Sequence, residues 1–523
     1  MDITGKHLIN GEFVARGNTS FNAHFADGDK NLTHSFYEAT LQEVSDACNA
    51  AQKAFEAYKL KSDTKRAEFL EEIALEIAAL TKPLVETAQK ETGLPEARLN
   101  GEIGRTTSQL NLFAKLLKDG HWVNAIIDEA QPERLPLPKA DIRMLQVPLG
   151  PVAVFGASNF PFAFSVAGGD TVSALAAGCP VVFKAHPAHP ATCEIVAQAI
   201  KKAIIKCQMP LGVFNMLQGQ THETGGALVQ NDLITAVGFT GSFKGGKALY
   251  DLATRRACPI PVYAEMGSVN PVFFLPGILK EKKEELAKGL AASVTLGVGQ
   301  FCTNPGLFVV EQSEQADGFI KQTASDLSSI TLGPMLTPAI KKAFIDGIHH
   351  IKQENGVTSL TQDAQNAEVR PQLLLSQVDT VIRNEKIMEE VFGPSTVAVS
   401  AANVSEVIKF AKSLKGHLTA TVFGTDDDLK QYQELIHILQ QKVGRLIFNN
   451  FPTGVEVTHA MVHGGPYPAT TDARSTSVGT TAIYRFTRPL CFQNCPDDLL
   501  PDALKRGNPL NIIRTVNGVS SKN

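Results

Sequence analysis

Several features that mark other classes of protein are missing from this 523-residue sequence. It has no basic surplus, since 49 Lys and Arg face 53 Asp and Glu and give a net charge of −4. Proteins that bind nucleic acid normally carry such a surplus, so the balance argues against nucleic acid and favours small-molecule partners. The sequence also lacks internal repeats and low-complexity tracts. Apolar residues at 43% and charged residues at 20% are typical of globular domains.

The 8 cysteines include no CxxC pair, which argues against a zinc ribbon. The N-terminus has no apolar segment of the kind that a secretory signal needs. Scattered thiols without such a signal suit a reducing compartment, so we expect a cytoplasmic protein. In such a chain a single cysteine can still serve as a nucleophile.

One uncharged stretch, residues 144–169, is long enough to cross a membrane. Pro151, Asn159 and Pro161 interrupt it, together with four glycines. Lipid tolerates such a broken, polar centre poorly. We therefore predict a buried strand, a turn and a helix here, and no membrane span.

The pattern of apolar residues predicts an α/β fold. Residues 40–118 are mostly amphipathic helix. From residue 152 to 254, apolar runs of about five residues alternate with helical patterns of about a dozen, one of them from Phe162 to Ala177, which indicates a doubly wound parallel sheet. A second alternation, over residues 271–449, predicts a second α/β lobe.

The first of four motifs with chemical potential follows the first predicted strand of the sheet. A strand end that opens a helix is where such folds bind ligands. The free backbone N–H groups there suit phosphate, and Asn159 adds an amide donor. The alternative is that Asn159 only caps a helix, with Pro161 in its first turn.

The other three motifs lie further along the chain. The glycines of residues 238–246 let backbone approach a ligand, although the spacing is not the dinucleotide fingerprint and also fits an ordinary turn. Glu265, at a strand end beside Gly267, is a candidate general base or a solvated charge. Cys302 follows an apolar helix among small and turn residues, which suits a thiol held at a cleft. Its alternative is a buried, inert cysteine.

Together, in this order, these motifs resemble those of the aldehyde dehydrogenase superfamily over nearly the whole chain. The specific elements are Gln300-x-Cys302, Glu265-x-Gly267 and Glu390-x-Phe392-Gly-Pro. The resemblance implies a Rossmann-like cofactor domain, an α/β catalytic domain, and a small oligomerisation arm and tail in a homodimer or homotetramer. These three parts correspond in turn to residues 1–118 with 147–265, residues 266–460, and residues 119–146 with 461–523.

The resemblance also implies roles for individual residues. Cys302 would attack the aldehyde, Asn159 and the Cys302 backbone N–H would hold the oxyanion, and Glu265 would activate water for hydrolysis of the thioester. The implied substrate contacts are Arg105, Phe160 and Thr453, and no metal ligands are predicted. The implied cofactor contacts are Phe155, Gly156, Ala157, Ser158, Lys184, His186, Pro187, His222, Phe239, Gly241, Ser242, Gly245, Met266, Gly267, Glu390 and Phe392.

One departure from the family pattern concerns the cofactor. Pro187 stands where family members usually have an acidic residue that binds the adenosine ribose. Nothing at that position repels a 2′-phosphate, and His222 in the next strand-to-helix loop is a candidate donor to it. We therefore expect NADP to be used at least as well as NAD. The alternative for His186 and His189 is that they are only turn residues.

A second departure concerns the substrate. Residues 94–106, 451–457 and 463–469 resemble the branch of α-ketoglutaric semialdehyde (2,5-dioxopentanoate) dehydrogenases and NADP-dependent fatty aldehyde dehydrogenases. In this superfamily the helix that carries Arg105 lines the aldehyde tunnel. An unpaired cation there would suit a substrate carboxylate. The alternative is that Arg105 pairs with Glu102 on the same helix face, which leaves the tunnel to an aliphatic aldehyde.

Three rival functions are weighed against aldehyde oxidation. A CoA-acylating relative would avoid a hydrolytic base such as Glu265. A catalytically dead homologue would not keep Cys302, Glu265 and Asn159 together. A cysteine hydrolase needs a histidine beside Cys302, and the sequence does not indicate one.

Overall fold

The computed structural model describes residues 2–26, 34–362 and 369–522. Its strands are β1 (His7–Ile9), β2 (Glu12–Val14), β3 (Ser20–Asn22), β4 (Ser35–Tyr37), β5 (Ile126–Asp128), β6 (Ile142–Pro148), β7 (Val152–Phe155), β8 (Val181–Lys184), β9 (Phe214–Leu217), β10 (Ala236–Thr240), β11 (Val262–Glu265), β12 (Val272–Phe274), β13 (Leu307–Glu311), β14 (Thr358–Ser359), β15 (Gln372–Gln377), β16 (Ser395–Ala401), β17 (His417–Phe423), β18 (Val443–Phe448), β19 (Thr487–Gln493), β20 (Arg514–Val516) and β21 (Val519–Ser521). Its α-helices are α1 (Leu41–Tyr58), α2 (Asp63–Ala79), α3 (Thr81–Thr92), α4 (Glu96–Asp119), α5 (Gly169–Ala177), α6 (Pro190–Lys206), α7 (His222–Gln230), α8 (Phe243–Thr254), α9 (Pro276–Thr295), α10 (Glu314–Ser329), α11 (Pro338–Gln353), α12 (Val378–Arg383), α13 (Val404–Ser413), α14 (Asp426–Gln431) and α15 (Gln433–Leu439).

The first large sheet has the strand order β11-β10-β7-β8-β9-β1-β2. Strands β7 to β11 are parallel, and β1 joins β9 in antiparallel pairing. Every residue of β7, β8 and β9 is buried. A strand covered on both faces needs apolar side chains on both, which is why these strands are continuous apolar runs in the sequence. The predicted doubly wound sheet is confirmed.

The second large sheet has the order β14-β15-β16-β13-β12-β17-β18. All its pairs are parallel except that of β14 with β15. Phenylalanines fill one of its faces, and the ring centroids of Phe274 and Phe423 are 5.0 Å apart. The second predicted lobe is therefore confirmed as α/β.

A third, smaller sheet joins two distant parts of the chain in the order β19-β6-β5-β20-β21. Antiparallel pairing of β19 with β6 runs from Thr487–Pro148 to Gln493–Ile142. The segment predicted to form an arm and the C-terminal tail thus share one sheet.

The helix predicted from Phe162 begins only at Gly169, so that boundary was wrong. The N–H groups of Phe162 and Ala163 donate to Oε1 of Glu102 at 2.8 and 2.9 Å. These tertiary bonds replace the first turns of the expected helix. Among the described residues, no helix has the length and apolar character needed to cross a bilayer.

A segment near the C-terminus adds to the free edge of the first sheet at β11. The N–H of Met266 donates to the carbonyl of Ala469 at 2.8 Å, and the N–H of Thr471 donates to the carbonyl of Ala264 at 3.1 Å. Immediately beyond β11 the chain crosses to β12 in the second sheet. The C-terminal segment is thereby fixed at the junction of the two large sheets, where ligand sites of α/β folds form.

Candidate active site

The loop that carries Cys302 has an unusual backbone. Gly297, Val298 and Gly299 all have positive φ, at 57°, 58° and 67°. For a β-branched valine this conformation costs on the order of 1–3 kcal/mol and is found mainly at functional sites. A Cβ on Gly299 would lie 2.3 Å from the carbonyl carbon of Gly393. The Glu-x-Phe-Gly-Pro motif therefore supports the cysteine loop from behind.

Asn270 holds the same loop in place from the second sheet. Its buried side-chain amide donates to the carbonyls of Cys302 and Asn304 at 2.8 and 2.9 Å. Its amide oxygen accepts hydrogen bonds from the hydroxyls of Ser268 and Thr419. The sequence analysis missed this residue, because an asparagine with φ of 47° shows no local pattern.

Three reactive side chains meet at the end of β11. The Sγ of Cys302 lies 3.4 Å from Nε2 of His463, which lies 3.0 Å from Oε1 of Glu265. Ser477 donates to the other carboxylate oxygen of Glu265 at 2.6 Å. The expectation that no histidine serves Cys302 was wrong. The pairing of residues 469–471 with β11 brings in His463, and no spacing in the sequence reveals that pairing.

The site keeps its thiol protonated and its carboxylate ionised. Burial, together with the charge of Glu265, raises the pKa of Cys302 well above its usual value. Burial also acts to raise the pKa of Glu265, but the contacts with His463 and Ser477 outweigh it, so that pKa lies below its usual value. A carboxylate that stays ionised in a dry site is suited to accept a proton.

Asn159 lies beside the loop that carries Cys302 and does not cap a helix. Its Nδ2 donates to the carbonyl of Gln300 at 3.0 Å. The backbone carbonyl of Asn159 accepts a hydrogen bond from Arg98 at 2.7 Å. The residue before α5 is Gly168, nine positions further on. The structure therefore brings Asn159 to the cysteine loop, as predicted.

The predicted cofactor residues near β7 and β10 lie at neighbouring strand ends. Gly156 and Ala157 are buried, and Ser158 is partly exposed. The Phe155 and Phe239 rings are adjacent, with centroids 6.2 Å apart. The Phe239 ring also lies against the glycine turn that follows β10. A Cβ on Gly241 or on Gly245 would come within 3.0 Å of that ring.

The start of α8 offers a site for an anion. Ser242 caps the helix and accepts a hydrogen bond from the N–H of Gly245 at 3.2 Å. The first residues of the turn, 241–244, are exposed. A helix N-terminus with accessible N–H groups favours phosphate. Met266 packs behind this helix, since a Cβ on Gly246 would lie 2.7 Å from its side chain.

Lys184 lies at the end of β8, and Glu38 lies near it. Its Nζ donates to the carbonyls of Ala185 and Gly219, and burial lowers its pKa to about 8. Glu38 accepts from the N–H groups of Gln220 and Thr221 at 2.8 and 3.1 Å. These bonds place an acid at the start of α7. The sequence analysis missed Glu38, which is 146 residues before Lys184.

The two histidines after β8 support the turn, which is the alternative stated for them. His186 accepts from the N–H of Ala188 at 3.1 Å, and burial lowers its pKa well below its usual value. His189 binds the carbonyl of Ala157 through Nε2 at 2.9 Å. Pro187 is partly exposed, and His222 is exposed at the first residue of α7.

Glu390 and Phe392 lie near the loop that carries Cys302. A Cβ on Gly267 would lie 2.2 Å from Oε2 of Glu390, so the carboxyl group packs directly on that glycine. Desolvation of its carboxyl group raises the pKa of Glu390 to about 7, although the residue as a whole is exposed. Phe392 and Phe301 line one cavity with Glu390. The predicted motifs at residues 265–267 and 390–394 thus converge near Cys302.

Arg105 lies in an aromatic pocket near the thiol. Its guanidinium carbon is 5.3 Å from the ring centroid of Phe164 and 5.9 Å from that of Phe160. Its Nε and Nη2 are buried and have no hydrogen-bonding partner among the described residues. Glu102 binds backbone N–H groups through Oε1. Its charge acts on Arg105, but no hydrogen bond joins Arg105 Nε or Nη2 to it, so the Arg105–Glu102 alternative stays open as a charge interaction without direct pairing. The hydroxyl of Thr453, a predicted substrate contact, is hydrogen-bonded to the hydroxyl of Ser293, and the two oxygens are 2.9 Å apart.

Comparison with known families and proteins identifies the chain. Residues 17–468 match the aldehyde dehydrogenase family. The chain belongs to that family. It is 47% identical to the α-ketoglutaric semialdehyde dehydrogenase of Acinetobacter baylyi, over 99% of both chains. It is also 47% identical to α-ketoglutaric semialdehyde dehydrogenase 2 of Azospirillum brasilense, again over 99% of both.

Solved aldehyde dehydrogenase structures have the same fold. A betaine aldehyde dehydrogenase from Staphylococcus aureus, solved with NAD+, superposes with a TM-score of 0.79 at 19% identity and covers 95% of this chain and 98% of its own. A 1-pyrroline-5-carboxylate dehydrogenase from Thermus, with bound NAD, gives a TM-score of 0.78 at 21% identity and covers 93% and 92%.

Family membership excludes the cysteine hydrolase among the rivals. As an aldehyde dehydrogenase the chain is an oxidoreductase that acts on aldehydes. The cysteine hydrolase is rejected on this ground, although Cys302 does have a histidine beside it. The aldehyde dehydrogenase fold, predicted from the motifs, is confirmed.

Proposed function

We propose that this enzyme oxidises α-ketoglutaric semialdehyde to 2-oxoglutarate with NADP or NAD. The observation that carries the substrate is the partly exposed Arg105 side chain, packed against aromatic rings, whose buried Nε and Nη2 have no hydrogen-bonding partner among the described residues. Buried guanidinium N–H groups without acceptors are costly, and a substrate carboxylate supplies those acceptors. The names of the two relatives at 47% identity support the same substrate.

The first chemical step is attack by Cys302 on the aldehyde carbon. His463 Nε2, 3.4 Å from Sγ, receives the thiol proton. The positive charge of Arg105 also favours the thiolate, since it acts to lower the pKa of Cys302 against the effect of burial. The product is a thiohemiacetal, whose oxyanion accepts hydrogen bonds from the Asn159 amide and the Cys302 backbone N–H.

The second part of the reaction releases the acid. When bound, NAD(P) accepts the hydride whose loss converts the thiohemiacetal into a thioester. The exposed start of α8 and Ser242 would hold its phosphates, while Lys184 and Glu390 would bind ribose hydroxyls and Phe392 would pack near the nicotinamide. Glu265 then takes a proton from water as the water attacks the thioester. The C–S bond then breaks, the carboxylic acid leaves, and the released thiolate of Cys302 takes back a proton from His463.

Replacement of Arg105 by Met tests the substrate. We expect KM for α-ketoglutaric semialdehyde to rise tenfold or more, because a charge-assisted contact contributes about 1.5–3 kcal/mol. Activity towards hexanal should be spared, since that substrate has no carboxylate. The measurement is steady-state kinetics of the variant with both aldehydes, without CoA.

Lys115→Met is the matched control, because Lys115 is an exposed cation on the same helix, α4. It should change neither KM. An equal loss on both substrates in Arg105→Met, or no loss on either, would make Arg105 structural and favour a fatty aldehyde as substrate.

Cofactor preference depends on charge around the adenosine ribose. Pro187 supplies none, so we expect NADP to be used at least as well as NAD. Glu38 occupies N–H groups at the start of α7, and this acid keeps the preference mild. Pro187→Glu should shift kcat/KM towards NAD, whereas Glu38→Gln should shift it towards NADP. A hundredfold advantage for NAD in the unmodified enzyme would contradict this account.

We also propose that the small sheet of β5, β6, β19, β20 and β21 is the oligomerisation arm of a homodimer or homotetramer. Exposed apolar side chains on or near it support an interface, among them Leu135, Leu137 and Val519. Sedimentation would measure the oligomer. The cytoplasmic location stays a prediction.

A further inference from the structure

We propose that Glu265, Cys302 and His463 form a zinc-binding site that inhibits the enzyme. One potential ligand atom from each of the three residues lies within 4.8 Å of the other two. Thiolate, imidazole and carboxylate are the ligands that Zn²⁺ takes in proteins. The sequence predicted no metal ligands, because these residues come from three distant segments.

The distances between the ligand atoms suit a tetrahedral ion. Bonds of about 2.3 Å to sulfur and 2.0–2.1 Å to nitrogen or oxygen place neighbouring ligand atoms roughly 3.3–3.6 Å apart. The structure has 3.4 Å from Cys302 Sγ to His463 Nε2 and 3.0 Å from that nitrogen to Glu265 Oε1. Small side-chain shifts therefore complete three corners of the tetrahedron.

An unpaired oxygen is already directed at this position. Oε1 of Glu265 is buried and makes no aligned hydrogen bond, despite its 3.0 Å approach to His463. Oε2 of the same carboxylate is held by Ser477 at 2.6 Å. The carboxylate is thus fixed in orientation, with Oε1 in charge contact with His463 but without an aligned hydrogen bond among the described residues, and both Glu265 and His463 are 1% exposed. A buried oxygen without a partner is costly, and a metal ion satisfies it.

The charges and the chemistry make the ion an inhibitor. Coordination forms a Zn–S bond as the thiol releases its proton to solvent, and no electron transfer occurs. The thiolate and carboxylate together neutralise the two charges of Zn²⁺, although nearby Arg105 opposes the ion. While the metal holds Sγ, that sulfur cannot attack an aldehyde. The inhibition part of the inference thus rests on the proposed role of Cys302, whereas metal binding does not.

Titration with Co²⁺ tests binding separately from turnover, since Zn²⁺ has no visible spectrum. Chelator-treated enzyme without nicotinamide should bind one Co²⁺ per chain and show a sulfur-to-cobalt charge-transfer band. Cys302→Ser should abolish that band, and His463→Phe should weaken binding tenfold or more. Glu265→Gln should also weaken it, with circular dichroism reporting that each variant is folded. Cys258→Ser, which removes an exposed thiol, should leave the band and the affinity unchanged.

Inhibition is then measured in the unmodified enzyme. Zn²⁺ should compete with the aldehyde and be reversed by a chelator. A charge-transfer band that survives in Cys302→Ser, or affinity that is unchanged in both His463→Phe and Glu265→Gln, would overturn the proposed site. Binding at the site without loss of turnover would instead contradict the role of Cys302 as nucleophile.

Discussion

Cys302→Ala should yield a folded protein with no measurable dehydrogenase turnover. The methyl group cannot form the covalent bond on which both halves of the reaction depend. His463 and Glu265 remain beside it, so the loss is specific to the sulfur. The measurement is the absorbance of reduced nicotinamide with α-ketoglutaric semialdehyde, together with thermal unfolding of the same preparation.

The matched control is Cys258→Ala, because Cys258 is an exposed cysteine. It should retain the activity and the melting temperature of the unmodified enzyme. Full turnover in Cys302→Ala would eliminate the covalent mechanism.

Glu265→Gln should separate the two halves of the reaction. We expect one rapid burst of reduced cofactor per active site, followed by turnover slowed about 10²-fold or more, as for loss of a general base. The amide keeps the shape of the carboxylate and its contact with Ser477, but it cannot accept a proton from water. Stopped-flow absorbance would resolve the burst from the steady state.

The outcome that counts against this assignment is loss of the burst along with turnover. Glu265 would then act in formation of the thiolate, through His463 at 3.0 Å. Ser477→Ala serves as a milder comparison, because it removes the hydrogen bonds to Oε2 and to the carbonyl of His463 but keeps the carboxylate itself. It should slow turnover less than Glu265→Gln and keep the burst.

The fold could be predicted from the sequence in those segments where local sequence determines burial. β7 and β8 are covered on both faces, so their apolar runs marked them as parallel strands. The helix expected from Phe162 failed because a distant carboxylate, that of Glu102, binds the backbone there. No local pattern carries that information.

The residues of the site likewise fall into two groups, those that local motifs predict and those that tertiary contacts bring in. Cys302, Glu265 and Asn159 lie in short motifs, and the structure brings all three to the junction of the sheets. His463 follows Cys302 by 161 residues and reaches it only through pairing of its segment with β11. Asn270 and Glu38 act through tertiary hydrogen bonds, which neither composition nor periodicity predicts.

The pairing of residues 469–471 with β11 also affects the order in which the enzyme is completed during synthesis. A ribosome makes the chain from its N-terminus, and domains generally fold as they emerge. Cys302 therefore leaves the ribosome 161 residues before His463, and Glu265 leaves it 212 residues before Ser477. A nascent chain that has finished both large sheets through β18 still has an unpartnered thiol and carboxylate. The reaction centre becomes complete only when residues 469–471 have paired with β11.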